Sequence, residues 1–344
     1  MQELLGRLTA LDPAASQSLR VIACFDELIA GDVGVHGLLS AAAALAGRPV
    51  CLARGTAVTR VDSHGGSMDP VGAPIHAHPV MDDVEVWIEN PADETAELDA
   101  IILERLALAL LIRLDTKRTS AVPPRDMTLL LERGSSATDR RDAAARLGLA
   151  TNARYRIVVA PLFATWTRNP RGPEDVVATP FGPVHAAVVD IDAAPAASPV
   201  GIGSIAQVEE MDRSFRTAMI ALRLHDGSSN ENSRADDLGG LAEMLADLPD
   251  DRHDDGDQMA VEIIASHRWG AITIDALVRS GSVREAARIA HVHHSTMTDR
   301  VEIITDTLGF DPMSGIGRTR LNLAFLRWRL RTSRVLELVP TRNA

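Results

Sequence analysis

Hydroxyls, imidazoles and guanidiniums crowd one short stretch of this chain, residues 274–308, which reads IDALVRSGSVREAARIAHVHHSTMTDRVEIITDTL. Ser282, Ser295, Thr296 and Thr298 can bond to base edges or to phosphate oxygens, and His293 and His294 add ring nitrogens. Arg284 and Arg300 carry the charge that suits phosphate contacts. Asp299 can accept from cytosine N4, although an acid near phosphates lowers non-specific affinity. The chemistry on offer is contact with nucleic acid.

Those side chains need elements to hold them. Met297, Val301, Ile304 and Leu308 recur at i, i+4, i+7 and i+11, which is one apolar face of a helix over 294–308. At 100° per residue, Ser295, Asp299 and Glu302 face away from that stripe, with Thr298 and Ile303 beside them. His294 and Thr296 stand at the helix start. Upstream, Gly281 closes one helix and Ser282 opens the next, with Glu285 three residues on as a capping box. Ala286, Ala287 and Ala290 let another helix approach closely, and His291-Val292-His293 makes a short turn. Gly309 suits the residue after the last helical turn. Short helix, three-residue turn and longer helix make a helix-turn-helix. In its DNA-binding form, the N-terminal residues of the second helix reach base edges in the major groove. Helix pairs with short turns also occur in ordinary bundles, so spacing alone leaves both readings open.

The rest of the chain divides by its punctuation. Residues 1–118 hold helical patterns near 14–30 and 35–46, a short strand at 49–53 and a Gly/His-rich loop at 62–79. A strand at 84–88 and a helix near 95–114 complete that block. The helix is apolar around most of its circumference, which calls for cover on more than one side, inside the domain or in a dimer. Pro123 and Pro124 mark a hinge at 119–124. Residues 125–230 carry helices near 126–133 and 139–147, strands at 155–162, 184–190 and 201–203, and a helix near 208–224. Strands interleaved with helices indicate an α/β or α+β domain. Nine acids against Arg252 between Asp236 and Asp257 read as an acidic linker over 231–262, ahead of an all-helical module over 263–334.

Charge and composition narrow the function classes. The 344 residues carry a formal net charge of −12, which excludes a general nucleic-acid coat. Residues 271–334, however, hold ten arginines against six acids, so the other 280 residues carry −16 around a mildly basic module. Eleven aromatics are too few for a single-strand stacking platform. Cys24 and Cys51 sit in apolar surroundings and read as buried thiols; lining a sensor pocket with Trp87 is the weaker reading. His64, His76 and His78 share a loop, where solvent exposure outweighs metal ligation. No P-loop, dinucleotide fingerprint or G-x-S-x-G is present. The N-terminus shows no signal-peptide pattern, and the most apolar run, residues 101–114, is too short to cross a bilayer. A cytoplasmic protein without a cofactor and without membrane contact is expected.

Residues 274–331 resemble the C-terminal helix-turn-helix of PucR/CdaR-type bacterial transcriptional regulators. The likeness rests on Gly281-Ser-Val-Arg-Glu-Ala-Ala-Arg288, Val292-His293, Thr296, Arg300-Val301, Leu308-Gly-Phe-Asp311 and Arg320-Leu-Asn-Leu-Ala-Phe-Leu326. More loosely, Leu45-Ala-Gly-Arg-Pro-Val-Cys-Leu52 with the helix 98–114 is similar to the family's GAF-like sensor region. Ala145-Arg-Leu-Gly-Leu149, Pro199-Val-Gly-Ile-Gly203 and residues 214–224 are similar to its degenerate GGDEF-like middle domain. The resemblance implies an α/β multidomain chain: a GAF-like sensor and dimerisation domain at 1–118, a degenerate GGDEF-like domain at 125–230, and an all-α DNA-binding domain at 263–334. It implies a homodimer that binds double-stranded promoter DNA under control of a small-molecule effector, and no enzyme. Two departures stand against it. The family usually carries Arg where His294 stands, and basic or aromatic residues at Thr298, Asp299, Glu302 and Ile303. The middle region also lacks the Gly-Gly-(Asp/Glu)-Glu-Phe loop that cyclase chemistry needs. The alternative is a helix-turn-helix that acts through another regulator without touching DNA.

Overall fold

Val21, Cys24, Phe25 and Leu28 recur at i, i+3, i+4 and i+7, and all four are buried along one face of the first helix, α1 (Pro13–Ala30). The second, α2 (Val35–Ala46), is rich in small residues and stops at Gly47, which takes the left-handed conformation at φ 64°. In this computed structural model the described residues are 13–69, 77–89, 96–116, 126–168, 170–193, 196–225, 233–248 and 256–337. Among them the chain divides into a larger unit, Met1–Glu243 with Arg334–Ala344, and a helical unit, Met244–Ser333.

The larger unit contains two sheets. In the first, β1 (Val50–Arg54), β2 (Ala57–Val61), β3 (Ser67–Met68), β4 (His78–Met81) and β5 (Val84–Ile88) lie antiparallel in the order β3-β2-β1-β5-β4. Gly55, at φ 59°, lets a two-residue loop join β1 to β2. The long helix α3 (Ala96–Thr116) buries Ile102, Leu106 and Leu110 in the same core as α1, α2 and the sheet. The expected all-round cover is incomplete: Leu108, Leu111 and Ile112 remain 42%, 40% and 44% exposed. Cys24 and Cys51 are buried, and burial pushes both thiols up to about 12, for Cys51 with a further contribution from Glu89.

The second sheet follows α4 (Asp126–Leu131) and α5 (Ala137–Arg146). Its strands run β13-β11-β6-β9-β8, with β12 also on β6: β6 (Arg154–Pro161), β8 (Glu174–Val177), β9 (Val184–Asp190), β11 (Gly201–Ile202), β12 (Ala206–Gln207) and β13 (Ser233–Arg234). β7 (Thr165–Arg168) and β10 (Ala196–Ser198) form a separate pair. β6 and β9 are buried along nearly their whole length because both faces are covered, and most of their residues are apolar. Ile157, Val159, Ala186 and Val188 face one core with α6 (Met211–Arg223), while Val158, Ala160, Ala187 and Val189 face another with Trp166. Val335 and Leu336, from beyond the helical unit, pack against the first of these cores.

The two sheets meet where β8 lies along α2. Asp175 Oδ1 accepts the backbone N–H of Gly34 at 3.2 Å and of Val176 at 2.9 Å. A Cβ at Gly37 would stand 2.3 Å from that oxygen, so only glycine fits. Burial pushes the Asp175 carboxyl up to about 6 from 3.8. Beside it, buried His185 contacts buried Glu174 at 2.8 Å, and the Trp166 ring meets His185 edge-on at 5.2 Å between centroids.

The span read as an acidic linker, 231–262, is largely structured in its described part. It contains β13, α7 (Ala235–Leu238), α8 (Gly240–Asp247) and most of α9 (Gly256–Ser266). Four of its described acids are partnered: Asp236 with Arg156 at 2.7 Å, Glu243 with Arg213, Asp257 with Arg320 at 2.6 Å and Glu262 with Arg331 at 2.9 Å. The Arg156 guanidinium holds the Asp236 carboxyl below the usual range. A count of acids resembles a solvated run, but the fold sets an arginine from elsewhere in the chain opposite each of these four. Residues 249–255, the hinge at 119–124 and His76 lie outside the described residues. His64 is exposed and His78 pairs with Val86 in the first sheet.

Candidate nucleic-acid interface

The helical unit is built from α9, α10 (Gly270–Arg279), α11 (Val283–Ile289), α12 (His294–Leu308) and α13 (Gly315–Thr332). Ala286 and Ala287 on α11 are buried against a core of Ile274, Leu277, Met297, Ile304, Leu321 and Phe325. Ser282 caps α11, its hydroxyl accepting the Glu285 N–H at 3.2 Å. Glu285 does not reach back to Ser282 as a full capping box would; its carboxylate accepts the Gly281 N–H at 2.8 Å. The turn tightens through Val292 N–H to Ala287 O at 3.0 Å, and His291 adopts φ 53°, a left-handed conformation unusual outside glycine.

His293 does the work of an N-cap. Its Nδ1 accepts the Ser295 N–H at 3.3 Å and lies 2.8 Å from Ser295 Oγ. A cap of this kind stabilises a helix by about 1 kcal/mol. Met297, Ile304 and Leu308 are buried as their spacing predicts, and Gly309 closes the helix at φ 71°.

The expected interface residues separate by what they touch. His294 and Thr296 are exposed at the start of α12, and Asp299 and Glu302 are exposed further along. Arg284 is exposed on the first turn of α11, without an ion pair among the described residues. Ser295 is exposed but engaged with His293, and the half-buried Thr298 donates its hydroxyl to the His294 carbonyl at 3.0 Å. Arg300 departs from expectation. Instead of pointing at solvent as a phosphate ligand, its Nη1 donates to Thr273 Oγ1 on α10 at 3.1 Å. Its guanidinium lies 5.3 Å from the Trp269 ring centre. The cause is angular: residue 300 falls on the flank of α12, between the core stripe and the outward face. The partners Thr273 and Trp269 stand some thirty residues upstream, where no local spacing signals them.

Residues 271–326 match the PucR C-terminal helix-turn-helix domain. The match begins one residue inside α10 and ends within α13, so the PucR-type domain contains α11, the turn and α12 whole. It leaves out the α9–α10 turn, and with it Trp269. A regulator of polyketide synthase expression from Bifidobacterium adolescentis, known from a crystal structure, aligns over 60% of this chain and 97% of its own. Its identity is 13% and its TM-score 0.26, too low to bear on fold or function. No curated protein matches the chain. No helix among the described residues is long and apolar enough to cross a membrane.

Proposed function

We propose that this chain is a sequence-specific DNA-binding transcriptional regulator. The observation that carries the reading is the PucR-type domain at 271–326, with His294 and Thr296 open at the N-terminus of its second helix. In such a helix-turn-helix those positions face the major groove. Arg284, at the start of the preceding helix, supplies a phosphate contact. The regulator acts in the cytoplasm as a homodimer, because two half-sites give the affinity that one mildly basic unit lacks. The exposed Leu108, Leu111 and Ile112 on α3 support a face for that pairing. The first sheet with α1–α3 is the GAF-like sensor, and the second with α4–α6 is the degenerate GGDEF-like domain. An effector bound in this larger unit would alter the geometry of the two DNA-binding units. Catalysis is not part of the reading, since the middle region lacks the metal-holding acids of a cyclase loop.

A mobility-shift titration on the DNA upstream of the chain's own coding sequence, run against an unrelated duplex, tests this. Preference for the upstream fragment, falling steeply with salt, is the expected result. Equal or absent binding to both duplexes at low salt refutes the reading. A second reading is favoured by one observation: Asp299, Glu302 and Asp306 are all exposed along the outward side of α12. A chain that leaves DNA free even at low salt would use that side for another protein.

A further inference from the structure

Arg268 sits in the turn between α9 and α10, outside the segment that matches the PucR-type domain. Its neighbours are locked on both sides. The rings of His267 and Trp269 stack at 5.1 Å with 6° between their planes. The Gly270 N–H donates to the His267 carbonyl at 2.9 Å, and a Cβ at Gly270 would lie 1.8 Å from the Ile264 carbonyl oxygen. A relay then ties the turn to α12: Arg300 Nη1 donates to Thr273 Oγ1, and Thr273 Oγ1 donates to the Trp269 carbonyl at 2.7 Å. The guanidinium of Arg300 also faces the Trp269 ring. Amid this bracing Arg268 itself is exposed and has no hydrogen bond or ion pair among the described residues.

Position gives the free cation a use. Thr296, Arg300 and Ile303 share one flank of α12, and the bond from Arg300 to Thr273 sets the start of α10 on that flank. The outward side of α12 carries Asp299 and Glu302, so neutralising phosphates falls to residues beside the helix. We infer that Arg268 contacts a DNA phosphate beside the groove entered by α12, and that Arg300 is a positioning residue that holds the Arg268 turn in place. The inference rests on the DNA-binding reading. A planar guanidinium suits the Arg300 role, because it can stack on an indole and bond to a hydroxyl at once, whereas an ammonium keeps the charge and loses the stack.

The test uses the full chain and the duplex from upstream of its own coding sequence, with affinity measured from low to moderate salt. Removing one phosphate contact lowers the salt slope by about one. Across the range from about 50 to about 200 mM salt, the Arg268→Ala chain should therefore lose about 3.5-fold less affinity than wild type. Its preference over an unrelated duplex should not change, since phosphates carry no sequence. Arg300→Lys should reproduce the reduced slope despite its retained charge, and should add nothing in the Arg268→Ala background. Arg20→Ala, at an exposed position on α1, controls for bulk charge and should keep the wild-type slope. An Arg268→Ala chain with the wild-type slope overturns the inference while leaving DNA binding intact. An Arg300→Lys chain with the wild-type slope overturns the positioning role. A wild-type chain without affinity for either duplex overturns the functional reading and this inference together.

Discussion

Replacing Asp175 with asparagine isolates one buried charge. Both N–H donors to this side chain, from Gly34 and Val176, meet the same oxygen, Oδ1. The asparagine carbonyl can keep both bonds, so Asp175→Asn removes the titration and little else. The charged groups that act on Asp175 are His185 on β9 and Arg113 on α3, both of which favour its ionised form. Burial outweighs them and raises the carboxyl from 3.8 to about 6. A difference of about two pKa values corresponds to about 3 kcal/mol. The direction follows from the raised value: the folded chain binds this proton more tightly than the unfolded chain. Keeping Asp175 charged is therefore a cost in full above about pH 7, relieved as pH falls through 6 and gone below about 4. Between about pH 7.5 and about pH 5, wild type should recover about 1 kcal/mol relative to the variant. Denaturant unfolding of both chains at the two pH values, followed by tryptophan fluorescence, measures the difference. The variant should be the more stable at pH 7.5, by an amount that shrinks at pH 5. A stability difference that is flat with pH, or one that grows on acidification, would refute the account of Asp175 as a desolvated carboxylate.

Three other outcomes follow from the geometry. Met297→Ala removes a fully buried side chain from the core under α12 and should destabilise the helical unit by about 2–5 kcal/mol, read by its melting transition. Thr296→Ala should leave that transition unchanged and weaken preference for the upstream duplex; unchanged discrimination would remove Thr296 from the interface. Cys24 and Cys51 should resist a thiol reagent in the folded chain and react together on unfolding, because burial disfavours both thiolates. Fast labelling of either at neutral pH would contradict their burial.

Strong periodicity was legible in the sequence, and weak or long-range pairing was not. The i, i+4, i+7, i+11 stripe of α12 and the apolar runs of β6 and β9 specify their own elements, since each buries a face set by its period. β2 carries only a weak strand signal, because Ala57-Val-Thr-Arg-Val61 leaves Ala57 and Thr59 exposed and buries Val61 alone. β8 begins Glu174-Asp175, two acids that strand propensity disfavours, and the space for their side chains is left by Gly31 and Gly37. At the interface, the exposure of His294 and Thr296 could be derived from helical angles. The inward turn of Arg300 could not, because Trp269 and Thr273 reach it only through the fold.

Val335 and Leu336 give the helical unit a topology of its own. The chain leaves the larger unit after Glu243, forms α9–α13, and returns at Arg334, after which Val335 and Leu336 pack on the second sheet's core. In covalent terms the helical unit is an insertion closed at both ends rather than a bead on a string. A bead on one tether swivels freely and is freed by a single cut. A twice-anchored insert keeps one covalent attachment to the larger unit after either connection is cut.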